Sequence, residues 1–317
     1  MQAFLARAIE GELLRTSRRV SSLKSLSIFV AVSILENNCF ICVYARANFM
    51  QSLFYIVWYI QIILESLPVS SSGHLALLQQ WLECHNGVKS RIILTESVEH
   101  VMHIPTVFVI GAYVLEKWGY LLLQLPGSFW TITHVCLLVV AANICTVVVY
   151  YFFKLCKPGL HFPVWLGLAI TALLLLSLYG VRVGASTLPS GRQAVLIGLT
   201  QGLALLPGVS RLASTCVMGI WLGLTPLAAF VFSCTIQLPL VLAGATKGLY
   251  DVRRSKDSVL FYPLTYVRIS CLCLVSFVSY GVLHIMADLI DHGLLVYWGW
   301  YMVGIAFCAL IMRYKEC

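Results

Sequence analysis

Long stretches of this chain carry no Asp, Glu, Lys or Arg. Such runs extend from Asn48 to Leu64, His100 to Leu115, Trp118 to Phe153, Pro158 to Val181, Gln193 to Ser210, Leu212 to Thr246, Ile269 to Ala287 and Gly293 to Met312. A helix crosses the hydrocarbon core of a bilayer in about 20 apolar residues. Two of the runs are too long for one span, and Pro126-Gly127 and Thr225-Pro226 supply the stops, because proline has no N–H to continue a helix. The pattern predicts roughly eight to ten hydrophobic helical segments. Polar and apolar residues do not alternate as they would in a strand barrel. The expected fold class is therefore all-α, a polytopic integral membrane protein.

Composition agrees. Of the 317 residues 60% are hydrophobic and 11% are charged, against about a quarter charged in a soluble domain. The net charge of +8 would suggest nucleic acid in a soluble protein. Here the basic residues fall in connectors (Lys89, Arg91, Lys154, Lys157, Lys247 to Lys256, Arg313, Lys315). They read as topology signals facing anionic headgroups, and no nucleic-acid partner is expected. The 12 Cys mostly lie inside apolar runs, where a thiol packs as a small hydrophobe. The Cys39-Phe-Ile-Cys42 pair has no second pair and no βαβ context, so it reads as neither metal nor redox site.

Residues 1–49 differ from the rest. Arg15, Arg18, Arg19 and Lys24 precede a short apolar stretch from Leu26 to Leu35, as in a signal or anchor, with no clean cleavage site after it. They are expected to be a dispensable N-terminal extension or non-native start, with a membrane domain over 50–317. That domain shows an internal echo. Leu67-Pro68-Val69-Ser70-Ser71-Ser72 recurs as Leu206-Pro207-Gly208-Val209-Ser210-Arg211, and Met102-His103-Ile104-Pro105 recurs as Ile236-Gln237-Leu238-Pro239. Order and spacing match, which marks two repeats, about 50–155 and about 160–317. Pro, Gly and serine runs break helices. Non-helical backbone at membrane depth persists only where protein or a wet cavity satisfies it. Paired broken helices thus predict re-entrant or discontinuous elements whose tips share a polar site.

The chemistry gathers at those tips. Glu65 closes an apolar helix with Gln61 one turn earlier, and a carboxylate there needs a cavity and a partner. Ser70, Ser71, Ser72 and Gly73 offer hydroxyls and backbone N–H groups that can cradle an anion. His74 can exchange a proton near neutral pH. Arg211, the only charge between Gln193 and Thr246, has a planar fork suited to phosphate oxygens. A helix restarting after Gly208 and Ser210 would aim its amides at the same ligand. A purely structural Arg211–Glu65 bridge is the alternative, and it leaves the serines and His74 without a role. Glu99 and His103, one turn apart, are further candidates for the cavity wall, while His85, His134, His161, His284 and His292 read as interfacial or packing residues.

These motifs resemble a known family. Glu65 to His74 is similar to the E-x-L-P-V-S-S-[ST]-G-H signature of bacterial undecaprenyl-diphosphate phosphatases of the bacitracin-resistance type. Pro207 to Arg211 resembles that family's P-G-x-S-R-S-G-x-T motif, and Glu99 to Thr106 its D-x-x-x-H-L-G-T region. The likeness runs in order from about Met50 to the C-terminus. It implies inverted-topology repeats with two re-entrant elements in a bacterial inner (plasma) membrane. The implied activity is hydrolysis of undecaprenyl (polyprenyl) diphosphate to the monophosphate carrier lipid and phosphate, in support of envelope synthesis and bacitracin resistance. By motif match Glu65, Ser71, His74 and Arg211 take the catalytic positions. Ser70, Ser72, Gly73, Gly208, Ser210 and Gln61 take the substrate-binding ones. A divalent cation, Mg²⁺ or Ca²⁺, is the expected cofactor, with Glu65 as its ligand, and a homodimer is an admissible assembly. The chain departs from the pattern at Gln61, where a second Glu is usual, and at Leu212-Ala213, where Ser-Gly is usual. Gln61 carries no charge, which weakens a two-carboxylate metal site, and Leu212 removes a hydroxyl.

In the mechanism these residues suggest, Arg211 and the loop amides hold the diphosphate and offset the charge of the transferring phosphoryl group. Ser71 or a water attacks, with His74 as base or proton donor and Glu65 orienting His74 or binding the cation. The residues leave serine and water attack both open. They also leave open a flippase that carries polyprenyl phosphate without hydrolysis, since transporters share broken inverted repeats, and an inactive paralogue.

Overall fold

A computed structural model describes residues 52–86, 96–124, 128–156, 162–255 and 265–314. The N-terminal extension, the Cys39–Cys42 pair and the Pro126-Gly127 stop lie outside the described residues. The chain divides into Met1–Phe54 and Tyr55–Cys317, and of the first unit only residues 52–54 are described.

The described residues form helices α1 (Ser52–Leu64), α2 (Ser71–Asn86), α3 (Glu96–Met102), α4 (Ile104–Gln124), α5 (Ser128–Cys156), α6 (Val164–Leu176), α7 (Gly191–Leu203), α8 (Arg211–Trp221), α9 (Pro226–Ser255), α10 (Tyr266–Asp291) and α11 (Leu295–Tyr314). Beta structure among them is limited to one isolated bridge, between Ser186 and Leu224. Four of these helices are long and apolar enough to cross a bilayer, over Phe129–Leu155, Pro226–Arg254, Tyr266–Asp291 and Leu295–Arg313. Their outer faces present Trp130, Leu155, Phe277 and Phe307 to the surroundings. Such a surface is stable only against lipid, so the chain is a multi-pass all-α membrane protein.

The remaining hydrophobic runs become short helices. The run from Pro158 to Val181 holds α6, of 13 residues, about 20 Å long where the hydrocarbon core is about 30 Å. The run from Gln193 to Ser210 holds α7, also 13 residues. A charge-free run therefore need not be a full span, because these helices stop inside their runs. Thr225-Pro226 behaves as the pattern predicts. Pro226 opens α9, at the helix start where its missing N–H leaves nothing unpaired.

The two interruptions have the same construction. After α1 the backbone tightens into three-residue turns, Ser66 N–H to Ile63 O and Leu67 N–H to Leu64 O, and then meets Pro68. After α7, Leu205 N–H bonds Gly202 O and Leu206 N–H bonds Leu203 O before Pro207. Proline disfavours helical backbone in the residue before it, so both helices end there. Neighbours satisfy the freed polar groups. The Ser279 hydroxyl of α10 donates to Ile62 O at 2.9 Å and lies 2.6 Å from the Ser66 hydroxyl. Thr171 of α6 donates to Gly208 O at 3.3 Å and accepts from Ser210 N–H at 2.9 Å. This meets the requirement that non-helical backbone in a membrane be buried against protein.

Close helix contacts hold these pieces in place. A Cβ on Gly198 would come within 2.2 Å of Ala142 O, and one on Gly202 within 2.5 Å of Val149 Cβ, so α7 lies directly against α5. Small residues permit that approach, the usual basis of packing where lipid supplies no hydrophobic drive. The second proline of each repeat differs between halves. In the first, α3 stops at Met102 and α4 restarts at Ile104, with Trp58 of α1 donating to Met102 O at 2.9 Å. In the second, α9 runs through Pro239 as one 30-residue helix.

Candidate active site

Both broken elements end in a capped helix start. Ser70 Oγ accepts from Gly73 N–H at 3.1 Å, and the first helical bond of α2 runs from His74 N–H to Ser70 O. Ser70 is therefore the N-cap of α2. Ser210 caps α8 in the same way, accepting from Ala213 N–H at 3.2 Å. Gly208, at φ +84°, is the extra residue that lets the second loop reach its cap. A Cβ there would sit 2.3 Å from Val164 O, so the position admits only glycine without displacement of α6. The two tips meet: a Cβ on Gly73 would approach Gly208 Cα to 3.3 Å.

Between the tips lies a cavity of about 450 Å³, within the usual range for small-ligand sites. Glu65, Ser70, Ser71, Ser72, Ser210 and Arg211 form one wall. Glu99, His100, His103, Gln237 and Lys247 add polar groups, and Leu205, Leu206, Val147, Leu240 and Val241 supply apolar surface. The starts of α2 and α8 both face this space, and each brings unpaired N–H groups and the positive end of a helix dipole. The cavity therefore suits an anion next to an apolar chain.

Glu65 is the hub, with only 5% of its surface exposed. Its Oε1 accepts from Arg211 Nη2 at 2.8 Å and from Gln237 Nε2 at 3.0 Å. Its Oε2 accepts from Ser71 Oγ at 2.6 Å and from Gln61 Nε2 at 3.2 Å. His103 Nδ1 stands 4.0 Å from the same oxygen. An O–H held that short by a carboxylate is charge-assisted, and the carboxylate is placed to take its proton. Arg211 spends one N–H on Glu65, and its other guanidinium donors make no hydrogen bond among the described residues. They border the cavity.

The structure thus brings together Glu65, Gln61, Ser70, Ser71, Ser72, Ser210 and Arg211, while Gly73 and Gly208 form the crossing point behind them. It also contains the Glu65–Arg211 bridge. Because Ser71 shares that carboxylate, the bridge and the serine cluster are one assembly, and bridge and site are not alternatives. His74 stands apart. Its ring is not among the residues lining the cavity. Nδ1 lies 2.6 Å from Ser70 O, which only accepts, so Nδ1 carries the hydrogen. Nε2 then accepts from Tyr301 Oη at 2.9 Å, with the two rings stacked. Both ring nitrogens are occupied, so no free atom of His74 faces Ser71 as a base. Glu99 and His103 line the cavity as expected, and His284 packs edge-on against Tyr113.

A divalent cation on Glu65 does not fit this arrangement. A carboxylate offers about four acceptor positions, and Gln61, Ser71, Arg211 and Gln237 take four. Gln237 and Lys247 are the site residues that sequence reasoning missed. The signal for Gln237 is its place in the echoed motif opposite His103: Gln237 donates to Glu65 at 3.0 Å, and His103 Nδ1 stands 4.0 Å from it. Lys247 read as a connector charge.

Fold and site together define a polytopic helical membrane protein with an anion-receiving pocket between two broken helices. A family model described as bacitracin resistance protein BacA matches residues 55–308, and the chain belongs to that family. Among similar proteins is an undecaprenyl-diphosphatase of Alkaliphilus metalliredigens, 31% identical over 208 residues that cover 61% of this chain and 74% of the relative. Undecaprenyl-diphosphatase 1 of Shouchella clausii is 29% identical, covering 62% and 73%. Undecaprenyl-diphosphatase 3 of Bacillus anthracis is 26% identical, covering 83% and 99%.

Proposed function

We propose that this protein hydrolyses undecaprenyl diphosphate, or a similar polyprenyl diphosphate, to the monophosphate carrier lipid and phosphate in a bacterial plasma membrane. The observation that carries the reading is the shared carboxylate: Ser71 at 2.6 Å and Arg211 at 2.8 Å on opposite oxygens of Glu65, beside one cavity. Family membership and the names of the relatives point the same way.

In this reading the free donors of Arg211 and the amides at the starts of α2 and α8 bind the diphosphate. Ser71 Oγ attacks the terminal phosphorus. The Oγ–P bond forms, the bond from phosphorus to the bridging oxygen breaks, and the lipid monophosphate leaves with that electron pair. The hydroxyl proton passes to Glu65 Oε2. Water then attacks the phosphoserine, and Ser71 Oγ leaves and recovers its proton from Glu65. One water proton stays on the phosphate and the other departs through the cavity. Little covalent work is asked of the protein beyond positioning and charge stabilisation, as is usual in phosphoryl transfer. His74 positions the first turn of α2 through Ser70 O and Tyr301.

Phosphate release from purified full-length protein in detergent, given polyprenyl diphosphate, tests this. Wild type releases phosphate, and Ser71→Ala abolishes both release and the ³²P-labelled serine adduct trapped by rapid acid quench. Lipid binding without release in wild type would refute hydrolysis and leave a flippase. Release that survives in Ser71→Ala would refute serine attack and assign it to water.

A further inference from the structure

We infer that Glu65 of this chain serves as a hydrogen-bonded anchor with no divalent cation on it, and that Gln61 and Gln237 are the residues that keep cations away. The inference rests on the hydrolytic reading for its purpose but on geometry for its content.

A cation needs carboxylate lone pairs. Mg²⁺ takes octahedral oxygens at about 2.0–2.1 Å, and Ca²⁺ takes about 6–8 oxygens. At Glu65 each oxygen already serves two donors. Two of these four are amide N–H groups, from Gln61 one helical turn earlier and Gln237 on α9. The third is a guanidinium, whose positive charge at 2.8 Å opposes a dication beside it. The fourth is the Ser71 hydroxyl.

Gln61 bears a further mark. It is buried, and its Oε1 has no partner among the described residues. Turning the amide over would set that oxygen against the carboxylate, so the donor contact fixes its orientation. A glutamate there would instead put a second negative charge about 3 Å from the first. Like charges that close do not both persist unless a proton or a cation joins them. The choice between Gln and Glu at 61 therefore decides whether this corner of the cavity holds a cation or repels one. In this chain the positive charge comes from Arg211 and from Lys247, which also lines the cavity.

The test uses Mn²⁺ as probe, read by its EPR signal on purified full-length protein in detergent. The samples are wild type, Gln61→Glu, Gln237→Ala and Glu65→Gln, with elution on size exclusion confirming each fold. Wild type should show no stoichiometric bound Mn²⁺. Gln61→Glu, nearly isosteric, should gain it, and the double variant Gln61→Glu/Glu65→Gln should lose it again. Phosphate release by wild type should survive EDTA, while that of Gln61→Glu becomes metal-dependent. Bound Mn²⁺ in wild type that disappears in Glu65→Gln would overturn the inference, as would Gln61→Glu failing to gain any. If no sample releases phosphate, the hydrolytic reading fails, and the Mn²⁺ signals still decide the cation question.

Discussion

Removing the Arg211 guanidinium should damage stability and catalysis by separable amounts. Glu65 is almost fully buried, and among the described residues Arg211 is its only cationic partner within hydrogen-bond reach. The variant Arg211→Ala leaves a carboxylate in a low-dielectric interior with amide and hydroxyl donors alone. Breaking a buried pair from one side costs about 3–5 kcal/mol. The same variant removes the charge aimed at the transferring phosphoryl group, and loss of one such preorganised donor costs about 2.7–4 kcal/mol, or about 10²–10³ in kcat. The double variant Arg211→Ala/Glu65→Gln removes the stranded charge as well. It should recover most of the lost stability, scored by the temperature at which the detergent-purified protein leaves its monodisperse peak, and none of the lost phosphate release. Arg211→Lys should hold the ion pair but lose the fork, so stability stays near wild type while kcat falls. Near-normal kcat in Arg211→Ala would refute the clamp. Failure of the double variant to regain stability would refute the view that Glu65 is a buried charge dependent on Arg211.

Further substitutions at Gly208 and Thr171, with Gly180 as a control, probe the scaffold of the second broken helix. Gly208→Ala should lower stability by more than the roughly 1–2 kcal/mol of a left-handed alanine, because its Cβ would strike Val164 O. Gly180→Ala, also at positive φ but with open space around it, should show only the conformational cost in the same thermal assay. Thr171→Val should cost about 1–3 kcal/mol by leaving Ser210 N–H buried and unpaired, with Thr171→Ser restoring both stability and phosphate release.

Much of this was readable in the chain. Uninterrupted apolar runs require helices in lipid, and Pro-Ser and Pro-Gly steps inside them require a buried break. Arg211 alone in 54 residues between Gln193 and Thr246 required an anion. What pattern could not supply was direction. Nothing in the order of Ser71, Gly73 and His74 tells that the imidazole turns to Tyr301, 227 positions later, and away from the cavity. That depends on where α11 packs. Gln237 carries no charge to mark it; its match with His103 in the echoed motif points at the position, but its contact with Glu65 depends on where α9 packs. Some of the predicted hydrophobic segments are shorter than a full span, because a charge-free run limits where a helix can be, not where it ends. α6 gives way to the turns from Ser177 to Val181, and α7 to the tight turns before Pro207, whose loop Thr171 holds through Gly208 O and Ser210 N–H.

The repeat itself shows how a one-residue difference becomes chemistry. Matched letter by letter, Leu67–Ser72 against Leu206–Arg211 pairs Ser71 with Ser210. Matched by hydrogen bonds, the N-caps Ser70 and Ser210 correspond, and Gly208 is an insertion that its left-handed backbone absorbs. The first helical residues then correspond, Ser71 of α2 and Arg211 of α8. Both reach Glu65, one on each oxygen. The carboxylate also has a counterpart in the other half: three residues before each proline stand Glu65 and Ala204. Two equivalent helix starts thus stand around one acid. One copy keeps a hydroxyl at the first turn and the other a guanidinium, so a nucleophile and an anion clamp stand opposite each other. Neither half alone could hold both, since each helix has one first position and a single side chain to place there.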